Sequence, residues 1–189
     1  MDAKTLFNKA AKQVDVCVSH VHDNQLTNKT PCTEWDLKAL LNHVVYELSW
    51  VPDLLAGKTV AEVGTKYDGD LLGEDRQLTW SRALKAAQEA IERTDVDTVV
   101  HLSYGDVPAE HYIREIGSDL AIHGWDVSQS EMSNLLLGTD LAQAIYDLYL
   151  PRKDELTKSG VFAPAVETLP TDSVQVKLLA LLGRKANTN

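Results

Sequence analysis

The sequence predicts an all-α bundle with long connections, some short extra helices and one short β-hairpin or extended segment. Three observations carry this. Apolar residues recur at three- and four-residue steps along most of the chain, helix start and stop signals bracket those stripes, and the repeated strand pattern of an α/β fold is absent. The 189 residues fit one compact domain spanning the whole chain, with no internal repeat and no low-complexity linker.

The first stripe is Leu6, Phe7, Ala10, Ala11, Val14, Cys17 and Val21, ended by the polar run His22-Asp23-Asn24. A second helix opens at Thr33 as N-cap, with Glu34 and Asp36 in its first turn. Its stripe is Leu37, Leu40, Leu41, Val44, Leu48, Val51 and Leu55, with Gly57 as stop and Pro52 expected to kink or break it. Residues 58–78 are mixed and glycine-containing and read as a long connection. Thr79 then caps a third stripe of Trp80, Ala83, Leu84, Ala87, Ala90 and Ile91. Residues 97–107 place β-branched residues before a Gly-Asp turn, the mark of a hairpin or extended piece. Pro108 suits the first position of a fourth helix, with Tyr112, Ile116, Leu120 and Val127 as its stripe. Thr139 and Asp140 open a fifth, with Leu141, Ile145, Leu148 and Tyr149, and Pro151 bends or ends it. After a loop marked by Pro164 and Pro170, a last helix from about Asp172 carries Val176, Leu179, Ala180 and Leu182, capped by Gly183.

Bulk properties exclude several function classes. Hydrophobic residues at 44% and charged residues at 24% are those of a globular chain. A formal charge of −10 without clustered Lys and Arg argues against nucleic acid and anionic membrane surfaces. No apolar run approaches the roughly 20 residues of a membrane span, and the N-terminus lacks a signal-peptide core, so a cytoplasmic location is expected. Cys17 and Cys32 are too few for a disulfide framework and read as small hydrophobes.

The chemistry lies in polar residues where apolar ones belong. On the fourth helix Asp119 and His123 are four apart and fall inside the apolar stripe. A carboxylate facing a core is costly unless it meets a cation, a metal or several donors. His43 lies on the shoulder of the second helix's stripe, one turn before Glu47. If those two helices pack together, His43 meets Asp119 and His123 across the interface, the way bundles build metal sites. Imidazole and carboxylate suit zinc, nickel, iron or manganese, and three protein ligands leave positions open, as catalytic sites require. Spacing alone also allows a plain ion pair between Asp119 and a histidine.

Three stretches carry a resemblance: the run from Thr30-Pro31-Cys32 through Trp35 to His43-Val44, Asp119-Leu120-Ala121-Ile122-His123-Gly124-Trp125-Asp126, and Leu178-Leu179-Ala180-Leu181-Leu182-Gly183-Arg184. Together they resemble the actinobacterial branch of the DinB/YfiT-like superfamily, related to the N-terminal domain of mycothiol-dependent maleylpyruvate isomerase, over about residues 5 to 185. The resemblance implies a DinB-like four-helix bundle and carries the metal-ligand role onto His43, Asp119 and His123. It implies a divalent metal, zinc first and nickel or another as alternatives, and a low-molecular-weight thiol of the mycothiol or bacillithiol type attacking an electrophilic substrate. The expected function is thus a metal-dependent thiol S-transferase or isomerase-like enzyme. Two departures keep a second class open, a non-catalytic metal- or small-ligand-binding bundle, stress-related and dimeric. Asp119 is shorter than the isomerase's typical Glu, and with the sequence ending at Asn189 the isomerase's C-terminal domain with its catalytic arginine is not expected.

Other residues read more plainly. Trp35 and Trp125 are expected in the core, with an aromatic wall beside the metal as the alternative for both. Asp126 is expected at a cap or in solvent, with orientation of a ligand imidazole as its other role. Glu47 is expected on a solvated face, with an extra ligand or general base as the alternative. His20, His22, His101 and His111 are expected at the surface. Cys32 is not expected to be a nucleophile, although a helix N-terminus can depress a thiol pKa.

Overall fold

The computed structural model describes residues 1–131, 133–159 and 162–186. They fall into two compact units, Asp2–Leu135 and the segment from Leu136 onward.

The first unit holds α1 (Ala3–His20), α2 (Leu37–Leu55), α3 (Val60–Val63), α4 (Arg76–Arg93), the strands β1 (Val99–Leu102) and β2 (Gly105–Pro108), and α5 (Ala109–Ser130). Four helices close a ring: α1 packs on α5, α5 on α2, α2 on α4, and α4 on α1. This is the expected four-helix bundle. The apolar stripes read from the sequence form its core, with Leu6, Phe7, Leu40, Leu41, Leu48, Ile91 and Leu120 at 2% exposure or less. No helix of the described residues is long and apolar enough to cross a membrane.

Local chemistry shifts several ends. The cap of α2 is Asp36, whose carboxylate accepts from the Ala39 N–H, not Thr33. The chain is still extended at Asp36, where it pairs with Lys29, so the helix cannot begin earlier. Pro52 does not break α2, which runs on to Leu55. The missing hydrogen bond falls in the last turn, where burial of Val51, Leu54 and Leu55 holds the helix. Helix α4 starts one turn before Thr79, capped by Asp75 on the Leu78 N–H, while the Thr79 hydroxyl bonds the Leu72 carbonyl. Pro108 ends β2 and caps α5 in extended geometry instead of entering the helix. The hairpin is antiparallel, pairing Val100 with Val107 and His101 with Asp106. Within the 58–78 connection, Thr59 and Glu62 form a capping box on α3. The same connection is tied to α2 near His43: Asn42 Nδ2 donates to the Gly69 carbonyl at 3.0 Å and Lys38 pairs with Asp70 at 2.7 Å.

Two glycines on α5 let α1 approach. A Cβ on Gly117 would come within 2.6 Å of Leu6 Cδ2 and 3.0 Å of Phe7 Cα, and one on Gly124 within 2.2 Å of Val14 Cγ2. This close approach explains why α5 is buried over most of its girth, polar residues included.

The second unit holds α6 (Thr139–Tyr149), a 3-10 turn at Leu150–Arg152 containing Pro151, α7 (Lys153–Ser159) and α8 (Val174–Leu181). Helix α8 packs on α6. Helix α8 starts at Val174, two residues after the expected start near Asp172, and Ser173 caps it by accepting from the Val176 N–H. Gly183 ends it with φ 78, where a Cβ would lie 2.5 Å from the Ala163 carbonyl oxygen.

Candidate metal centre

The site is built from α2, α5 and the loop between α1 and α2. Asp119 and His123 are one turn apart on α5, and His123 Nε2 lies 3.4 Å from Asp119 Oδ1. His43 reaches across from α2, its ring 5.0 Å from that of His123 and nearly perpendicular to it at 84°. One ligand atom from each of His43, Asp119 and His123 can be chosen so that all lie within 4.8 Å of one another. The three residues picked out in the sequence are therefore brought together.

The loop supplies the rest. The Thr30 hydroxyl lies 2.9 and 2.8 Å from the carbonyls of Cys32 and Trp35 and accepts from the Cys32 N–H at 3.0 Å. One side chain thus folds the whole Thr-Pro-Cys-x-x-Trp turn. Asn28 ties the loop to α5 by donating to the Ser130 carbonyl at 2.9 Å. Trp35 is half-buried rather than core, its ring 4.5 Å from His43 at 38° and 6.0 Å from His123. It lies against the two histidine rings, which is the position the aromatic-wall alternative requires. Trp125 is buried as expected.

Two further expectations, for Asp126 and Cys32, fail here. Asp126 is neither cap nor solvent-facing: it is 0% exposed, and its Oδ2 lies 3.0 Å from His123 Nδ1. Cys32 is not a mere small hydrophobe, since its Sγ lies 3.2 Å from the same Asp126 oxygen and 3.8 Å from His123 Nδ1. The i, i+3 spacing of His123 and Asp126 signalled the first contact. Nothing in local spacing signals the second, because it joins a loop to a helix 94 residues away. Cys17, by contrast, is buried in α1, where desolvation and then the Glu131 charge push its thiol up to about 11.

The charges divide along the two helices. Burial lowers the His43 pKa and the neighbouring His123 adds to this, against the pull of Asp119. Burial acts in the same direction on His123 but is outweighed by the Asp119 charge and by the hydrogen bonds to Asp126 and Cys32, which hold it well above the usual histidine range. Glu47 faces this cluster rather than open solvent, and burial, followed by the Asp119 charge, pushes its carboxyl up to about 7. Nearby, the buried Tyr112 hydroxyl has no hydrogen-bond partner among the described residues, and burial and the Glu47 charge raise its pKa. The other histidines lie away from the site: His101 pairs with Asp106 at 2.8 Å and His111 with Glu115 at 3.1 Å, while His20 and His22 are exposed.

Residues 7–128, more than half of the chain and all within the first unit, match the family described as the mycothiol maleylpyruvate isomerase N-terminal domain. The chain belongs to this family. Two proteins of Mycobacterium tuberculosis, from strains CDC 1551/Oshkosh and H37Rv and both named as uncharacterized, are each 25% identical over 142 residues, covering 75% of this chain and 74% of theirs. No solved structure matches significantly. The family match contains all three residues of the trio and the loop that folds over them.

Proposed function

We propose that the chain is a divalent-metal protein that activates a low-molecular-weight thiol for attack on an electrophile, with His43, Asp119 and His123 as metal ligands. The observation that carries this is the convergence of two imidazoles and one carboxylate from facing helices beside an aromatic wall. The donor set fits a borderline cation such as zinc or nickel, and three protein ligands leave positions for an exogenous ligand. A bound ion with open positions favours the thiolate of a coordinated thiol near neutral pH.

The chain's own groups complete the reading. Trp35 walls one side of the site and holds the His43 ring against it. Glu47, half-buried and facing the cluster, is placed to take up the proton a thiol releases or return it to a product. The family name makes mycothiol the first thiol to try, and a transferase or isomerase-like reaction the first to assay.

The test is metal content by elemental analysis of untagged wild type and His123→Ala, followed by thiol-consumption assays with mycothiol and several electrophiles. About one ion per wild-type chain, lost in the variant, together with metal-dependent thiol turnover, is expected. Negligible metal in both proteins after loading with zinc and nickel would remove the metal reading. Metal without turnover would leave a non-catalytic binding bundle.

A further inference from the structure

His123 offers a different nitrogen to each of two neighbourhoods. Nε2 lies 3.4 Å from Asp119 Oδ1 on the His43 side, and Nδ1 lies 3.0 Å from Asp126 Oδ2 on the other. We propose that Asp126, braced by the Cys32 thiol, is a positioning residue that keeps the Nδ1–H of His123 bonded to its carboxylate and so assigns Nε2 to the metal. The proposal rests on the reading of the trio as a metal site.

The argument starts from the cost of Asp126. A carboxylate at 0% exposure is tolerated only where donors surround it. An ionised carboxylate accepts and never donates, so wherever Asp126 is ionised the hydrogen in this 3.0 Å contact sits on Nδ1. The Cys32 thiol donates to the same oxygen at 3.2 Å, which fixes the carboxylate from the loop side. With Nδ1–H committed, the only nitrogen whose lone pair can be freed for a metal is Nε2, the one facing Asp119 and His43. The ring is also fixed in rotation, because Asp126 and Asp119 hold its two nitrogens from one turn on either side along α5.

A rival arrangement uses the same atoms. Cys32, His123 and Asp126 also lie within 4.8 Å of one another and would make a ligand set through Nδ1. The two arrangements exclude each other at Nδ1, which carries either a proton or a metal.

The experiment uses the full chain with zinc, and with cobalt in its place as a spectroscopic probe. Affinity is measured by competition with a chromophoric chelator for wild type, Asp126→Ala, Asp126→Asn and Cys32→Ser, with circular dichroism to check folding. Imidazole nitrogen NMR of 15N-histidine-labelled, zinc-loaded wild type identifies which His123 nitrogen carries a proton. Removing an outer hydrogen-bond partner of a ligand histidine typically costs about 10- to 100-fold in metal affinity. That loss is expected for Asp126→Ala, with a smaller one for Asp126→Asn, whose carbonyl still accepts from Nδ1–H. The NMR is expected to show Nδ1 protonated and Nε2 bound to metal.

Equal zinc affinity in wild type and both Asp126 variants would overturn this inference while leaving the metal site standing. A metal-bound Nδ1, or a thiolate-to-cobalt charge-transfer band abolished by Cys32→Ser, would overturn it in favour of the rival set. Wild type that takes up no zinc would overturn the metal reading and this inference with it.

Discussion

The two walls of the site are built on opposite terms. On α5 the polar side chains are buried and bonded: Asp126 and Ser128 are fully enclosed, His123 is 7% exposed, and each has a hydrogen-bond partner. On α2 the buried face is apolar, with Val44, Leu48 and Val51 in the core, and His43 stands on its shoulder. Among the described residues His43 makes no side-chain hydrogen bond, and ring contact with Trp35 and His123 positions it. A histidine held by a buried carboxylate is part of the fold's own electrostatics. A histidine held by a tilted ring contact is replaceable at small cost to the fold. The difference teaches that a metal held by the proposed trio would be coupled to stability on one wall and separable from it on the other.

Alanine at each histidine breaks the comparison open. Both His123→Ala and His43→Ala are expected to lose stoichiometric zinc. Only His123→Ala also strips a donor from the enclosed Asp126, for which a loss of about 3 kcal/mol in the metal-free protein is expected, since breaking a buried pair strands a charge. His43→Ala is expected to cost about 1 kcal/mol or less. Urea unfolding of both variants without metal measures this, and equal midpoints would mean the walls do not differ.

The α5 wall owes its position to α1 as well. Gly124→Ala would drive a methyl to within 2.2 Å of Val14 Cγ2, beside His123 in sequence. Val14 is β-branched and turns aside poorly. A loss of about 1–3 kcal/mol is expected, together with weakened zinc binding, because α5 must shift to relieve the overlap. Gly57→Ala, where a Cβ would meet nothing within 4 Å, is the control on the α2 side. Its positive φ of 88 adds local strain, but it is expected to leave zinc affinity unchanged.

The same contrast explains what was legible in the sequence. Periodicity revealed the helices, because an apolar face repeats locally, and it revealed His43, Asp119 and His123 as polar intrusions on apolar faces. It misplaced the starts of α2 and α4 because Thr33 and Thr79 look like caps, whereas Asp36 and Asp75 act as caps where the chain leaves an extended path. Pro52 looked like a break because the cost of the lost hydrogen bond is local while the burial that offsets it is tertiary. Asp126 and Cys32 were misread for a related reason. Their burial depends on a loop folded by the Thr30 hydroxyl against the C-terminal half of α5, and no periodicity encodes that.

Glu47 sharpens the comparison from the α2 side through pH. Its folded pKa, about 7, is raised from an ordinary 4.5. Such a group contributes stability that is fully present below about pH 4.5 and is lost as pH rises through about 7. Glu47→Gln is expected to remove that slope and leave the variant more stable than wild type at pH 8, by about 1–2 kcal/mol. Zinc in the trio would place positive charge beside Glu47, pull its pKa down and flatten the slope in wild type too. Chemical denaturation between pH 5 and pH 8, with and without zinc, reads both effects. A slope in Glu47→Gln as steep as in wild type would assign it to another group.

The smallest expected effect tests whether stacking alone positions His43. The Trp35 ring lies 4.5 Å from that of His43 at 38°, and such aromatic pairs contribute about 0.5–1.5 kcal/mol beyond area burial. Converted to binding, that is roughly a two- to tenfold change in zinc affinity. Trp35→Ala is expected to show the loss, and Trp35→Phe to recover most of it, because a smaller ring still limits His43 rotation. If Trp35 were instead a core residue, its removal would cost about 3–5 kcal/mol of stability and leave affinity unchanged. Its half-exposed position argues for the first outcome. Zinc affinity and unfolding free energy measured on the same three proteins separate the two, since an aromatic wall moves the first quantity and a core residue moves the second.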